Sequence, residues 1–368
     1  MAATPAPSAV IELLKPLTWF APMWAFACGV ISSGQPAHGQ WPVIAAGVLL
    51  AGPLVCATSQ AANDWFDRHV DAINEPNRPI PSGRIPGRWG LYLALGWTLL
   101  SLVVAAALGP RILGAALFGL VLAWIYSAPP VRLKRNGWWG NAAVALCYEG
   151  LPWFAGAAVM AAALPDRRVL AVALLYAAGA HGIMTLNDFK SVEGDRRMGL
   201  LSLPVQMGSE RAARFACLVM ALPQVAVIAL LVGWERYWHA GLVAALLAGQ
   251  FALMSRFLEK PGSGRSGTTA PAPPYVLGML VAAFALRPLV AEASLGGEAR
   301  TPRAEALGPS AARPVSGSGA GPSPVRERAR VAPLADRCAS SVALPPASAG
   351  PRSSASASSR PRSAASSC

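Results

Sequence analysis

Two short segments carry acidic residues in a repeated pattern. Asn63, Asp64, Asp67 and Asp71 fall within nine residues, and Asn187, Asp188, Ser191 and Asp195 repeat their order 124 residues later. On a helix, offsets of 0, 3 and 7 keep Asp64, Asp67 and Asp71 within an arc of about 60°. Three carboxylates on one face repel one another unless a cation lies between them. Carboxylate oxygens are hard ligands, and Mg²⁺ typically takes one or two of them and fills its other positions with water and substrate phosphate. For the first of the two segments alone, a solvated acidic helix end is the lesser alternative. Their match makes them two halves of one site, each able to hold a Mg²⁺ that bridges to a diphosphate between them. Ser191 occupies the middle acidic position of the second segment. Glu193 points about 140° away from Asp188 on an ideal helix, and is expected to be structural.

Basic residues suited to diphosphate oxygens lie close by in sequence. Arg78 and Arg84 follow the first segment, Tyr126 leads into Arg132, Lys134 and Arg135, and Lys190 and Arg196 belong to the second. Arg offers forked hydrogen bonds to phosphate and Lys a compact charge. Singly, each is more often a determinant of membrane topology. As a group around two acidic turns they form a leaving-group site.

Both segments must be positioned by membrane helices. The chain has 368 residues, 54% of them hydrophobic and 13% charged, with a mean hydropathy of +0.42. An average soluble domain is roughly a quarter charged. Apolar runs of spanning length cover 17–33, 41–62, 89–108, 112–127, 139–164, 169–186, 213–233, 237–257 and 275–290. The expected fold is therefore all-α, a polytopic bundle of about nine transmembrane helices. With the N-terminus cytoplasmic, the alternate connections carry sixteen Lys/Arg on that side against four on the other. That asymmetry puts both acidic segments on the cytoplasmic side.

The formal charge of +13 does not indicate nucleic-acid binding, because the basic residues punctuate apolar runs and no basic-aromatic signature accompanies them. Cysteines occur singly, with no Cys-x-x-Cys pair. A cation-coupled transporter would place its carboxylates near the bilayer midplane on broken helices, not at span ends in Arg-rich connections. From residue 291 the composition turns to Ala, Ser, Pro, Gly and Arg. The division expected is an intramembrane domain over 1–290 and a disordered, dispensable tail over 291–368. The Gly/Ser/Thr/Pro patch at 261–274 reads equally as a segment of the same origin as the tail or as an ordinary flexible loop.

The paired Asn-Asp motifs on nine spans resemble the UbiA-type intramembrane prenyltransferase superfamily. More narrowly, NDWFDRHVDAINEPNRPIPSGRIPGRWGLY, YSAPPVRLKRNGWWGN, YEGLPWFAGAAV and NDFKSVEGDRRMGLLSLPVQMG are similar to the branch that esterifies chlorophyll-type pigments. The resemblance covers most of residues 10 to 290. It implies Mg²⁺-dependent transfer of a prenyl group from geranylgeranyl or phytyl diphosphate to the ring-D propionate of bacteriochlorophyllide a. Plain chlorophyllide, a quinone precursor or haem are the alternative acceptors. It implies as well that Asp64, Asp67, Asp71, Asp188 and Asp195 hold the metal and diphosphate with help from Asn63 and Asn187. The setting implied is a lipid bilayer, the cytoplasmic or intracytoplasmic photosynthetic membrane of a bacterium. His69 and His181 are candidates to ligate the pigment's central Mg, although a lone His at a membrane boundary is more often a hydrogen-bonded structural residue. Glu149 lies within an apolar run, where an ionisable group is a functional candidate. Trp138, Trp139 and Trp153 are suited to flank a flat macrocycle, while an interfacial belt accounts equally for the first two.

Overall fold

The computed structural model describes residues 4–259 and 270–298. Among them, nine helices are long and apolar enough to cross a membrane. Helix α1 (Pro7–Ser32) breaks at Lys15, α2 (Trp41–Asn74) is followed by α3 (Trp89–Ala107) and α4 (Pro110–Ser127), and α5 (Gly137–Ala161) precedes α6 (Arg167–Asp188). Two short helices, α7 (Val192–Arg197) and α8 (Leu203–Met207), lead to α9 (Ser209–Gly233), α10 (Tyr237–Glu259) and α11 (Ala272–Glu298). One parallel bridge, Asn136 with Leu201, is the β-type pairing among the described residues. The expected all-α, nine-span architecture is present.

Residue 290 does not end the last span, which remains helical to Glu298. Ala291, Glu292 and Ala293 are strong helix formers, and the Glu292 carboxylate lies 3.8 Å from the Arg236 guanidinium. The rest of the tail and the loop patch up to residue 269 lie outside the described residues.

Two spans contain a π-helical stretch, Leu50–Cys56 in α2 and Leu146–Gly150 in α5. In the first, Pro53 offers no N–H to the ladder, and the Trp97 indole N–H donates to its carbonyl oxygen at 3.1 Å. Membrane helices tolerate such interruptions when neighbouring helices satisfy the freed groups. The second stretch contains Glu149, which the sequence places in an apolar run and the structure buries within the bundle.

Lipid supplies no hydrophobic drive between helices, so close backbone approach has to bind them. Gly29 of α1 and Gly156 of α5 meet in this way. A Cβ on Gly29 would lie 2.1 Å from the Trp153 carbonyl oxygen, and one on Gly156 would lie 2.1 Å from that of Phe26. Both obstacles are backbone and cannot swing aside. Gly156→Val is therefore expected to reduce membrane accumulation of folded protein severely, as quantified by detergent extraction and size-exclusion chromatography. Wild-type recovery would show that α1 and α5 can part without cost.

Candidate active site

The first acidic segment lies on the last turns of α2, which continues unbroken to Asn74 instead of giving way to a loop at residue 62. Its carboxylates share one helical face, and each meets a cation brought from elsewhere in the chain. Asp64, 1% exposed, accepts from the Lys15 ammonium at 2.7 Å and faces the Arg78 guanidinium at 3.5 Å. Arg78 also donates to Asp71 at 2.9 Å. Asp67 accepts from Arg132 at 2.9 Å and from Lys134. Burial alone would lower the pKa of Arg78, but Asp64 and Asp71 outweigh it and hold the guanidinium protonated. At Lys134 burial prevails, and the ammonium pKa falls below its ordinary value despite Asp67.

Lys15 and Arg132 owe their positions to strained backbone, with φ of 48° and 45°. A left-handed conformation costs a non-glycine residue roughly 1–2 kcal/mol. Such strain persists where the surroundings over-determine it, often at functional sites.

The second segment is not a copy of the first. Helix α6 ends at Asp188, the chain turns through Phe189–Lys190–Ser191, and α7 begins at Val192. The 0, 3, 7 spacing is thus not realised on one helix, and the turn instead folds Asp195 back towards Asp188. The Asn141 side-chain amide donates to Asp188 at 2.9 Å, and the Ser191 hydroxyl donates to Asp195 at 3.0 Å. Burial raises the Asp195 carboxyl above the ordinary carboxylate range, opposed by the Ser191 hydrogen bond.

Residues of both segments line one cavity of about 480 Å³. Asp67, Asp71, Arg78, Arg132 and Lys134 line it together with Lys190, Ser191 and Glu193, while Asp64, Asp188 and Asp195 are not among its lining residues. Asn74 and Met198 also line it, the amide nitrogen 3.3 Å from the thioether sulfur. Tyr126 is half-buried near the end of α4, ahead of the connection that carries Arg132 and Lys134. Carboxylates and basic side chains therefore face the same space in comparable numbers, as a metal-diphosphate requires.

Several predicted site residues lie elsewhere. Arg84 pairs with Glu12 at 2.8 Å on the surface, because the prolines and Gly83 (φ 78°) that follow Arg78 turn the chain away. The Arg135 side chain is exposed, and its backbone carbonyl accepts from the Leu201 N–H at 2.9 Å. Asn63 donates to the Ser127 hydroxyl at 3.0 Å, and Asn187 is exposed at the end of α6. Arg196 and Arg197 pair with Glu193, which the structure puts at the cavity wall. His69 is exposed, and Trp153 is fully buried, donating its indole N–H to the Ser32 hydroxyl at 3.0 Å. Lys15 and Asn141 were not anticipated at the site. Each is a single polar residue beside or within an apolar run, and only the fold brings it to a carboxylate.

The donor chemistry fits a hard divalent cation. Asp64 Oδ2 is buried with no hydrogen-bond partner, and Asp67 and Asp71 follow it on the same helix. Among the described residues, no three acidic, His or Cys side chains are drawn together as a ready cation cage. A Mg²⁺ that relies on substrate phosphate and water needs only one or two protein carboxylates.

The sequence signature of the UbiA prenyltransferase family matches residues 20–270. The bacteriochlorophyll synthase 33 kDa chain of Cereibacter sphaeroides is 58% identical over 290 residues, which cover 77% of this chain and 95% of that protein. The chloroplastic chlorophyll synthase of Arabidopsis thaliana is 39% identical over 287 residues, covering 75% of this chain and 73% of that one. In fold, the chain is similar to a UbiA homolog from Archaeoglobus fulgidus solved with GPP and Mg²⁺. The TM-score is 0.62 at 23% identity, over 76% of this chain and 99% of the other.

Proposed function

The chain belongs to the UbiA prenyltransferase family, and from that premise we propose that it esterifies the ring-D propionate of bacteriochlorophyllide a with a geranylgeranyl or phytyl group. The observation that carries this reading is the single cavity shared by both acidic segments, together with the 58% identity to a bacteriochlorophyll synthase.

In the proposed site Asp64, Asp67 and Asp71 on α2, with Asp188 and Asp195 of the second segment, would hold Mg²⁺. The chemistry such an ion would supply is charge neutralisation of the leaving diphosphate. Arg78, Arg132, Lys134 and Lys190 supply the remaining positive charge, and Arg132 and Lys134 are placed to pass from Asp67 to phosphate oxygens. Neutralising the leaving group favours ionisation of the allylic C–O bond, and the apolar bundle shelters the carbocation-like carbon from water. A propionate is ionised near neutral pH, its ordinary pKa being about 4, so attack needs no strong base. Tyr126, at the end of α4, is assigned to orient the reacting groups by its hydroxyl.

The active site belongs on the cytoplasmic side by the distribution of Lys and Arg. Cysteines introduced beside Arg84 and Arg197 should both react with an impermeant reagent from the cytoplasmic face. Labelling from opposite faces would separate the two halves and defeat the shared-diphosphate reading.

Acceptor choice is tested by offering membranes bacteriochlorophyllide a, chlorophyllide a, 4-hydroxybenzoate and haem side by side. The two pigments differ in ring saturation and peripheral groups. Apolar fit alone discriminates by only about 1–3 kcal/mol, so a clear preference for bacteriochlorophyllide a is expected without absolute exclusion of the other. A preference for chlorophyllide a would reassign the acceptor, and turnover of the non-pigments alone would remove the pigment reading.

A further inference from the structure

A second cavity lies apart from the acidic one. It is a groove of about 420 Å³ between α5, α6 and α9. Ala142 and Ala145 of α5 and Ala177 and Ala178 of α6 line it with little relief, and Trp138, His181 and Phe215 close one end. The three rings pack on one another, Trp138 and Phe215 edge to face at 5.0 Å between centroids and His181 against Phe215 at 5.9 Å. Exposed Leu174 and Ala178 open the groove to the bilayer.

The groove leads towards the acidic site. At 100° per residue, Leu174, Ala177, Ala178, His181 and Asp188 share roughly 100° of the α6 surface. His181 stands two turns before Asp188, roughly 10 Å along the axis. Asn141 links the two regions, donating to both Asp188 and the Thr185 hydroxyl, while that hydroxyl donates to the His181 carbonyl.

His181 is weakly held for a polar ring in an apolar setting. Nε2 makes one 3.3 Å contact with the Trp138 carbonyl oxygen, and Nδ1 is buried with no hydrogen-bond partner. A buried nitrogen without a partner is costly, and a ligand that engages it recovers that cost. The side chain lines the groove, and rotamer changes are fast for a partly exposed ring. Neutral imidazole is a common metal ligand. Flat small-residue walls, an aromatic end and one imidazole match a planar metallated ring better than an acyl chain, which has no use for the imidazole.

We infer that this groove seats the macrocycle of the acceptor, a planar tetrapyrrole bearing Mg²⁺, with His181 as axial ligand to that metal and the propionate directed along α6 to Asp188. The inference rests on the pigment reading above and adds the place where the ring sits. The propionate bridges the remaining distance to the prenyl carbon, and no bond to the macrocycle itself is made or broken.

The test uses the full chain in lipid nanodiscs, with bacteriochlorophyllide a and its Mg-free counterpart as probes. Binding is followed by tryptophan quenching and by the shift of the pigment absorption bands, and KM is measured for both substrates. Wild type is expected to bind the Mg-bearing pigment at least about tenfold more tightly than the Mg-free one. His181→Phe should erase that preference and the ligation-dependent band shift. Ala178→Trp fills the groove from its exposed side and should weaken both pigments about tenfold or more, leaving KM for geranylgeranyl diphosphate unchanged. A His181→Phe protein that keeps the preference, or an Ala178→Trp protein that binds pigment as wild type does, would overturn the inference while the pigment reading stands. Failure of wild type to bind either pigment would instead overturn the reading on which it rests.

Discussion

Replacing Asp67 or Asp188 by Asn is expected to lower kcat about 100-fold or more while the protein still accumulates in the membrane. Both changes keep shape and remove charge. At Asp188 the Asn141 amide can still donate to the new side-chain oxygen, so the local hydrogen bond survives while the carboxylate is lost. At Asp67 the orphaned partners are Arg132 and Lys134, which line an open cavity where water can solvate them. Asp64 differs because its side chain is 1% exposed and is paired with both Lys15 and Arg78. Breaking a buried ion pair costs about 3–5 kcal/mol, and the partial exposure of Lys15 reduces this. Asp64→Asn should therefore lose both protein and activity, which makes Asp67 and Asp188 the cleaner pair. The check is initial rate per mole of extracted protein, with size-exclusion profiles for each variant. Wild-type kcat in both variants would remove these carboxylates from the chemistry.

The second large effect concerns Lys134. Its side chain is mostly buried, and its hydrogen-bonded partner is Asp67. Hydrogen bonds involving a charged group contribute about 1.5–3 kcal/mol, and a loss of about 2 kcal/mol corresponds to roughly a 30-fold change in binding. Lys134→Met should accordingly raise KM for geranylgeranyl diphosphate by roughly 30-fold with KM for the pigment nearly unchanged. Steady-state titration of each substrate against saturating amounts of the other separates the two constants. A rise confined to the pigment would assign Lys134 to the acceptor side.

The spans and the first acidic face were legible in the sequence for physical reasons. Lipid demands long apolar runs, and the 0, 3, 7 spacing of Asp64, Asp67 and Asp71 is a helical period that α2 realises to Asn74. The second segment repeats the residues without repeating the geometry. Its helix stops at Asp188, where Ser191 donates to the Asp188 carbonyl oxygen at 3.3 Å as well as to Asp195, and local side-chain bonds of this kind compete with the helix. Proximity along the chain misled at Arg84, which stands six residues beyond Arg78 but pairs with Glu12. Lys15 illustrates the converse, since a cation preceding an apolar run reads as a topology signal. Only the break in α1 turns it towards Asp64, 49 residues away. The same limitation applied to Asn141, whose partner Asp188 lies on the next span.

The most direct test of the shared metal-diphosphate site is to measure ester and released diphosphate together in one sample. Membranes containing the full chain receive geranylgeranyl diphosphate and bacteriochlorophyllide a before chelation, after chelation, and after Mg²⁺ is restored. One diphosphate released for each ester formed is expected, with both products lost on chelation and both recovered with Mg²⁺. Ester formation that continues undiminished in excess chelator, or diphosphate release that does not track the ester, would contradict it.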